Sequence, residues 1–273
     1  MMHVALTIAG SDSGGGAGIQ ADLKTFHQHG VFGTSAITAV TAQNTRGVSR
    51  WEAVQPDLVA AQIEAVAADL RPVAVKSGML ANEAIVRSVA TALEHHGLGN
   101  YVLDPVMVAT SGDMLIEPDA VEAIRSRLLT LATLVTPNAS EAAVLAGHDV
   151  TDEASMRRAA RSIFDLGARA VLIKGGHVGG DDSRGVVDIL YDGEFRTFRH
   201  PRLATTNTHG TGCTLSAAIA AHLARGAVLS EAVSRAIDYV HAALASAPQL
   251  GAGNGPLNHF ARGSFLTNSV TSD

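Results

Sequence analysis

The most informative chemistry in this 273-residue sequence lies in a short segment near its C-terminal end. Asn207–Ser216, which reads NTHGTGCTLS, runs directly into an alanine-rich stretch with a helical pattern. Glycines at the start of a helix leave consecutive backbone N–H groups exposed, and the helix dipole adds positive potential there. We therefore predict an anion-binding turn at Gly210, Thr211 and Gly212 that suits a phosphoryl group during its transfer.

Cys213 follows this turn directly and is the chain's single cysteine. A helix N-terminus favours a thiolate, so we expect the pKa of the thiol to be lowered and the thiolate to accept a proton from an alcohol. The alternative is a small cysteine that only lines the pocket. One cysteine excludes an internal disulfide and a multi-cysteine zinc site.

The elements that must position these residues follow from the alternation of short apolar runs with longer helical patterns. Repeated strand–helix units predict an α/β fold of three layers, α/β/α, with a mostly parallel central sheet and helices on both faces. We predict a single domain over 1–265 and a frayed tail over 266–273. The predicted strands are 3–9, 35–41, 73–76, 101–103, 134–136 and 170–174, with an antiparallel pair at 186–191 and 195–198; the predicted helices are 19–29, 56–70, 82–96, 118–131, 138–146, 151–166, 212–224 and 230–247.

Polar residues and glycines recur where the predicted strands end. In an open α/β sheet, ligands bind beyond the carboxyl ends of the strands, so these residues are expected to share one edge. From the residues alone other roles stay open, since Glu141 could cap its helix, Gln43 could bond loop backbone and Lys174 could be solvated. The residues concerned are Gly10, Gln43, Asp104, Asn138, Glu141 and Lys174.

At the end of the glycine-rich segment 10–18, residues 16–21 (GAGIQA) match a relaxed dinucleotide-binding fingerprint after the first predicted strand. No acidic residue ends the second predicted strand, where the ribose of a dinucleotide would need one. The segment could instead let another ligand approach the backbone, or simply form a turn. The chain lacks the GxxxxGK[ST] sequence of a P-loop kinase.

Composition excludes several classes of partner. The net charge is −6, no Lys/Arg run stands out, and aromatic residues make up only 4%, so we expect no nucleic-acid or membrane partner. The sequence shows neither a signal peptide nor a membrane-spanning apolar run, which predicts a cytoplasmic protein. His95 and His96 are adjacent, and His27 and His29 are two apart, so we expect neither pair to form a metal site.

Taken in order, several segments resemble the ribokinase-like family and, within it, the hydroxymethylpyrimidine and phosphomethylpyrimidine kinases. The resemblance implies a ribokinase-like fold that transfers the γ-phosphoryl group of ATP to 4-amino-5-hydroxymethyl-2-methylpyrimidine. It also implies a second transfer onto the monophosphate, giving the pyrophosphate used in thiamine biosynthesis. The matching segments are IAGSDSGGGAGIQADLKTF, TAVTAQNT, KSGML, LDPVMVATSGDML, TPNASEA, IKGGH, NTHGTGCTLSAAIA and GNGPLNHF, between residues 8 and 260.

The resemblance assigns a role to each matching position. It implies that Gln43 pairs with the aminopyrimidine edge, that Cys213 is the catalytic base, and that Lys174 acts with the anion-binding turn on the phosphate side. It implies that Asp104 and Glu141 hold Mg²⁺, directly or through water. The implied substrate pocket further contains Gly10, Ala17, Asp22, Met79 and Val106, and the implied ATP site contains Asp104, Asn138, Glu141, Lys174 and Thr208.

Two alternative functions remain at this point. A pyridoxal kinase of the same family would also phosphorylate a hydroxymethyl group on a flat nitrogen heterocycle, although the Gln43 amide suits an aminopyrimidine edge. A non-catalytic protein could bind the pyrimidine without turnover, although the GTGC segment with Lys174, Asp104 and Glu141 argues for activity. The resemblance further implies ATP and Mg²⁺ as cofactors and a homodimer.

Overall fold

The computed structural model describes residues 2–107, 117–176 and 185–263, so the predicted tail lies outside the described residues. Within them, nine strands form one sheet in the order β3-β2-β1-β4-β5-β6-β7-β8-β9. The strands from β2 to β7 in this order run parallel, while β3, β8 and β9 pair antiparallel at the two edges. The strands are β1 (Val4–Asp12), β2 (Phe32–Asn44), β3 (Gly47–Ala53), β4 (Ala74–Ser77), β5 (Tyr101–Leu103), β6 (Leu134–Val135), β7 (Val171–Ile173), β8 (Val186–Tyr191) and β9 (Phe195–His200).

Helices cover both faces of this sheet, which confirms the predicted three-layer α/β/α class. The described α-helices are α1 (Gly18–Gln28), α2 (Pro56–Asp69), α3 (Glu83–His96), α4 (Pro118–Ala123), α5 (Ala139–Ala146), α6 (Glu153–Asp165), α7 (Thr211–Ala224) and α8 (Leu229–Ala245). The chain does not continue α4 as one α-helix to residue 131, as predicted, but passes through a π-helical turn at Ile124–Leu128 and a 3₁₀ turn at Leu129–Leu131.

Two hydrophobic cores hold the layers together, one on each face of the sheet. Leu6 and Ile8 of β1 face the core beneath α2–α6, whereas Ala5 faces the core beneath α1, α7 and α8. This division follows from the alternation of side chains along a strand. Helix α7 is buried along nearly its whole length from Thr214 onward, because it lies between the sheet and its neighbours α1 and α8. Its N-terminus therefore ends at a fixed place at the sheet edge.

The structure corrects three details of the sequence prediction. Strand β1 extends to Asp12, so part of the glycine-rich segment belongs to the sheet. The edge strand β3 was not predicted, because its residues are partly or fully exposed and show no continuous apolar run. Helix α6 begins at Glu153 rather than at the predicted position 151, because Asp152 caps it: the Asp152 carboxylate accepts a hydrogen bond of 2.7 Å from the backbone N–H of Ser155.

No helix among residues 2–107, 117–176 and 185–263 combines the length and apolar character that a membrane crossing needs.

Candidate active site

The predicted anion-binding turn opens α7 and lies against the glycine-rich loop that follows β1. Gly210 is the N-cap residue and has a φ of 82°, a conformation that favours glycine. A Cβ atom at Gly210 would overlap the carbonyl oxygen of Gly16. The two loops therefore contact each other through their backbones, and only glycine fits at position 210.

Asp12 joins these two loops. Its carboxylate accepts hydrogen bonds from the backbone N–H groups of Gly14, Gly16 and Ala17, at 2.8, 3.0 and 2.8 Å. It also lies 2.8 Å from Nε2 of His209, the residue before the anion-binding turn. Burial alone would raise the pKa of Asp12, but the His209 contact and the backbone hydrogen bonds lower it below its usual value. Asp12 is therefore an ionised acceptor at the centre of the loop pair.

Gln43 lies beside the same turn, as the sequence predicted for a residue at this edge. Its amide nitrogen is 3.4 Å from Nε2 of His209. Its backbone is tied to the glycine-rich loop, because Ser13 Oγ donates to the Gln43 carbonyl at 2.7 Å and accepts from its N–H at 2.8 Å. Gln43 thus lies beside His209, the residue before the turn that opens α7.

Lys174 meets two carboxylates on the other side of the turn. Its Nζ is 2.9 Å from Asp104 Oδ1 and 3.9 Å from Glu141 Oε2, and a Cβ at Gly212 would lie 3.1 Å from it. Burial alone would lower the pKa of Lys174, but the charges of Asp104 and Glu141 raise it. The ammonium group therefore stays charged beside the backbone N–H groups of the turn.

Glu141 has two roles that the sequence left as alternatives. It forms a capping box with Asn138: the Asn138 side chain accepts from Glu141 N at 2.9 Å, and the Glu141 carboxylate accepts from Asn138 N at 2.8 Å. The same carboxylate faces Lys174. Burial and the charge of Asp104 raise the pKa of Glu141, while the charge of Lys174 lowers it. The net effect raises this pKa to about 7.

The residues around Asp104 fit a cation. Asp104 is 1% exposed, and its Oδ2 atom finds no hydrogen-bond donor among the described residues. A buried carboxylate oxygen without a donor is costly, and Mg²⁺ prefers carboxylate oxygens together with phosphate oxygens. A Cβ at Gly212 would lie 3.9 Å from Oδ2, so this atom points towards the anion-binding turn.

Cys213 lies in the first turn of α7 and is partly buried. Burial raises the pKa of its thiol to about 11, because the nearby Lys76 ammonium lowers the pKa by less than burial and the carboxylates of Asp22 and Asp104 raise it. The prediction of a lowered pKa is therefore wrong. The position at a helix N-terminus does not outweigh the loss of solvent and the two carboxylates.

Asp22 is expected in the substrate pocket, but its side chain is fully buried in an ion pair beneath the site. Lys76 Nζ lies 2.9 Å from Asp22 Oδ2, and both side chains are 0% exposed. Thr7 Oγ1 donates to the same oxygen at 2.6 Å. Burial alone would lower the pKa of Lys76, but the charge of Asp22 raises it, so the pair is ionic. Sequence reasoning missed Lys76, whose only signal was a lysine within a buried apolar strand.

The remaining predicted pocket and ATP residues lie along the same sheet edge. Met79 is 7% exposed, and a Cβ at Gly10 would lie 3.0 Å from its Sδ. Ala17 is the N-cap residue of α1, and Val106 follows Asp104 in the loop after β5. The Thr208 carbonyl accepts hydrogen bonds from both the backbone N–H and the hydroxyl of Thr211, at 3.2 and 2.7 Å.

A cluster of two histidines and a glutamate lies outside this edge. His95 and His96 at the end of α3 come together with Glu64 of α2, and their possible ligand atoms lie within 4.8 Å of one another. His96 Nε2 is 2.8 Å from Glu64 Oε2. The sequence missed this cluster because its third member lies on a neighbouring helix.

Comparison with known proteins agrees with this geometry. Residues 12–258 match the family model described as phosphomethylpyrimidine kinase. A hydroxymethylpyrimidine/phosphomethylpyrimidine kinase of Rhizobium meliloti is 54% identical over 267 residues, which cover 96% of this chain and 98% of that protein.

Solved structures show the same fold. The Bacillus subtilis pyridoxal kinase, solved as an ADP complex, is 39% identical and superposes with a TM-score of 0.87, covering 96% of this chain and 98% of that one. The Clostridium difficile phosphomethylpyrimidine kinase is 41% identical with a TM-score of 0.78, covering 88% and 98%. The family model spans most of the chain, and the Rhizobium meliloti relative is similar over nearly its full length. The chain belongs to the phosphomethylpyrimidine kinase family.

Proposed function

We propose that this protein transfers the γ-phosphoryl group of ATP to 4-amino-5-hydroxymethyl-2-methylpyrimidine and then phosphorylates the resulting monophosphate. One observation carries the proposal. The turn that opens α7 lies between an amide that can pair with an aminopyrimidine, Gln43, and a charged lysine, Lys174. A migrating phosphoryl group in this turn would have the acceptor alcohol on one side and the ATP phosphates on the other.

On the phosphate side, the protein supplies charge and fixed N–H donors. Phosphoryl transfer depends mainly on positioning and on neutralising charge, which the backbone N–H groups of Gly210–Cys213 and the Lys174 ammonium provide. Mg²⁺, held by Asp104 and Glu141 directly or through water, supplies further positive charge to the phosphates when bound. Asn138 and Thr208 position this side, because Asn138 fixes Glu141 and Thr208 anchors the turn.

On the acceptor side, Gln43 orients the pyrimidine, and Gly10, Ala17, Met79 and Val106 shape its pocket. The hydroxymethyl oxygen forms a bond to the γ-phosphorus of ATP while the bond from that phosphorus to the β,γ-bridging oxygen breaks, leaving ADP. Cys213, in the thiolate form, accepts the proton of the hydroxymethyl group. In the second reaction a phosphate oxygen of the monophosphate takes the place of the alcohol.

The decisive experiment counts the phosphates added to the pyrimidine. The protein is incubated with MgATP and the hydroxymethylpyrimidine, and the products are followed by mass spectrometry. We expect the monophosphate first and the pyrophosphate later, with one ADP formed for each phosphate added. Lys174→Met should slow both steps while the fold, followed by circular dichroism, persists. A protein that binds the pyrimidine without forming ADP would instead be a binding protein.

Pyridoxal is the second candidate acceptor, because solved pyridoxal kinases share this fold over nearly the whole chain. The Gln43 amide favours the aminopyrimidine, whose edge presents an acceptor next to a donor. We therefore expect a higher kcat/KM for the hydroxymethylpyrimidine than for pyridoxal, measured at the same MgATP concentration. The opposite order would make pyridoxal the principal substrate.

The resemblance also supports a homodimer that works in the cytoplasm. Analytical ultracentrifugation of the purified protein tests the dimer, for which a sedimentation mass equal to one chain would be the contrary result. Cell fractionation tests the location.

A further inference from the structure

We propose that Asp12 and His209 are positioning residues that fix which end of the Gln43 amide faces each side of the pyrimidine, and thereby direct the hydroxymethyl group towards the anion-binding turn. This inference rests on the proposed function, since it concerns how the proposed acceptor lies in the pocket. Gln43 itself favours the aminopyrimidine over pyridoxal, whereas Asp12 and His209 determine which way round the pyrimidine lies.

The first step is the proton on His209. The Asp12 carboxylate is 2% exposed and accepts three backbone hydrogen bonds, so it acts as an acceptor and does not donate a hydrogen bond. His209 Nε2 lies 2.8 Å from this carboxylate. A carboxylate can only accept, so Nε2 must carry a hydrogen that it donates to Asp12, whether the ring is neutral or charged.

The second step is the conflict this creates at Gln43. The Gln43 amide nitrogen lies 3.4 Å from His209 Nε2. Both nitrogens carry hydrogens, so two donors face each other. The amide oxygen lies 3.4 Å from Thr41 Oγ1. That hydroxyl has a single hydrogen, which it already donates to the Ser11 carbonyl at 2.8 Å. The oxygen therefore faces an acceptor, so both ends of the amide are mismatched.

Turning the amide over by 180° removes both mismatches. The Nε2 hydrogen of His209, which points to Asp12 at 2.8 Å, can then be shared with the Gln43 oxygen as a second, more distant acceptor. The Gln43 nitrogen donates to a lone pair of Thr41 Oγ1. The two ends of an amide are distinguished by such a network, because they have nearly the same shape. The rest of Gln43 need not move, since its backbone remains bonded to Ser13.

The third step carries this orientation to the substrate. An aminopyrimidine pairs with an amide by accepting at N3 and donating from the 4-amino group. With the Gln43 oxygen on the His209 side, the 4-amino group must lie on that side too. The hydroxymethyl carbon is on C5, the ring atom next to C4 and away from N3, so it extends further in the same direction. His209 is followed directly by Gly210 and the anion-binding turn.

The opposite orientation of the amide would reverse this result. The 4-amino group would lie on the Thr41 side, and the hydroxymethyl group would point away from the turn. The hydrogen bond between Asp12 and His209 thus sets the orientation of the Gln43 amide. That orientation in turn determines whether the hydroxymethyl group points towards the anion-binding turn.

The test compares two acceptors that differ only in this hydrogen-bond pattern. The 4-oxo counterpart of the hydroxymethylpyrimidine presents an N–H donor at N3 and an acceptor at C4, the reverse of the 4-amino compound. The measured quantity is the ratio of kcat/KM for the amino compound to kcat/KM for the oxo compound. We expect this ratio to be at least about a hundredfold in the unaltered protein, because each mispaired buried group is strongly penalised.

His209→Leu removes the donor that orients the amide, and Asp12→Asn removes the group that fixes the hydrogen on Nε2. We expect each change to lower the ratio by about tenfold or more, with kcat for the amino compound reduced as well. Gln20→Leu is the matched control. Gln20 lies in the first turn of α1, and the change removes the 2.8 Å hydrogen bond from Asp12 N to Gln20 Oε1 without altering the side chains of Asp12 or His209. Its ratio should stay unchanged.

The outcomes are distinguishable. Because the ratio compares two substrates on one sample, a partly unfolded variant still reports it, and calorimetric binding of the two pyrimidines replaces it for a variant without turnover. An unchanged ratio in both His209→Leu and Asp12→Asn, or an equal change in Gln20→Leu, would overturn the inference. If the unaltered protein phosphorylates neither pyrimidine, the proposed function fails instead.

Discussion

At the scale of single residues, the ionisation of Cys213 decides how the acceptor loses its proton. The pKa of the thiol is raised to about 11 by burial, so only a small fraction is thiolate near neutral pH. If the thiolate is the base, that fraction rises about tenfold per pH unit up to the pKa, and log kcat should rise with a slope near one. Cys213→Ser should lower kcat by about 10²–10⁴ and remove this slope.

The chain's single cysteine allows a direct control. The rate of alkylation by iodoacetamide, followed against pH without ligands, reports the pKa of the Cys213 thiol alone. We expect the rate to keep rising through pH 9. A plateau below pH 8 would show that the helix N-terminus outweighs burial after all. A flat pH profile of kcat, with Cys213→Ser still active, would remove Cys213 from the role of base.

Residue types and their order were enough to predict which residues meet at the sheet edge, but not how they are paired. Asp104 and Lys174 are 70 positions apart and form an ion pair. From the sequence we could predict that both lie at the same sheet edge, but not that they are bonded to each other. The Asp22–Lys76 pair was hidden, because a lysine in an apolar strand does not reveal a partner on the opposite helix. Breaking such a pair leaves one buried charge alone, which is costly.

At the scale of elements, the two ends of α7 offer a matched pair of glycines. Gly210 has φ 82° at the N-terminus and Gly226 has φ 83° just after the C-terminus. A Cβ at Gly210 would overlap the Gly16 carbonyl, whereas a Cβ at Gly226 has nothing within 4 Å. Both alanine variants should lose about 1–2 kcal/mol from the left-handed backbone, and Gly210→Ala should lose more than Gly226→Ala because of the overlap with the Gly16 carbonyl. Only Gly210→Ala should also lower kcat, by about a hundredfold or more, because it moves the anion-binding turn.

Urea unfolding and steady-state kinetics on both variants check this expectation. A loss of stability in both variants, with kcat reduced only in Gly210→Ala among the molecules that remain folded, would locate the function at the N-terminal end of the helix. If Gly210→Ala keeps its kcat, the backbone N–H groups of this turn do not hold the phosphoryl group.

Elements with strong local signals were predicted well, and those set by partners were not. Helices α3 and α5 each begin one residue after the predicted start, because Asn82 and Asn138 cap them, and β5 has the predicted bounds. The edge strand β3 depends on pairing with β2 rather than on its own apolar pattern. The interruption after α4 likewise has no marker in the sequence, which continues as a regular helical pattern.

At the scale of the whole molecule, the order of strands explains why distant segments form one site. The carboxyl ends of β1, β2, β4, β5 and β7 lie along one edge, and α7 crosses behind them with its N-terminus at that edge. The parallel crossover rule made this convergence predictable before any side chain was placed.

The helical layer beside α7 also contains buried histidines that should make the molecule sensitive to acid. His29, His222 and His259 are 1%, 5% and 7% exposed. The rings of His29 and His222 lie 4.8 Å apart, and His259 Nε2 lies 3.2 Å from Thr214 Oγ1. Burial lowers the pKa of His29, lowers that of His222 to about 3 and lowers that of His259 to about 4.

The sign follows from where the protons bind. The unfolded chain takes up protons at these histidines below a pKa of about 6.5, while the folded protein keeps them neutral. The stabilisation is therefore complete above pH 6.5 and is lost as pH falls towards 4 and 3. Between pH 7.5 and 5.5 the free energy of unfolding should fall by about 1.4 kcal/mol each for His222 and His259, or about 3 kcal/mol for these two, and His29 adds a loss of the same sign.

Urea unfolding at these two pH values measures the loss. His222→Phe keeps a ring in place without a titrating group and should reduce the loss by about 1.4 kcal/mol. His27→Asn on the exposed side of α1 is the control and should leave the loss unchanged. Equal losses in the unaltered protein and in His222→Phe would mean that His222 takes up its proton in the folded state. The helical layer beside α7 would then hold a charged His222, contrary to what the burial of this side chain predicts.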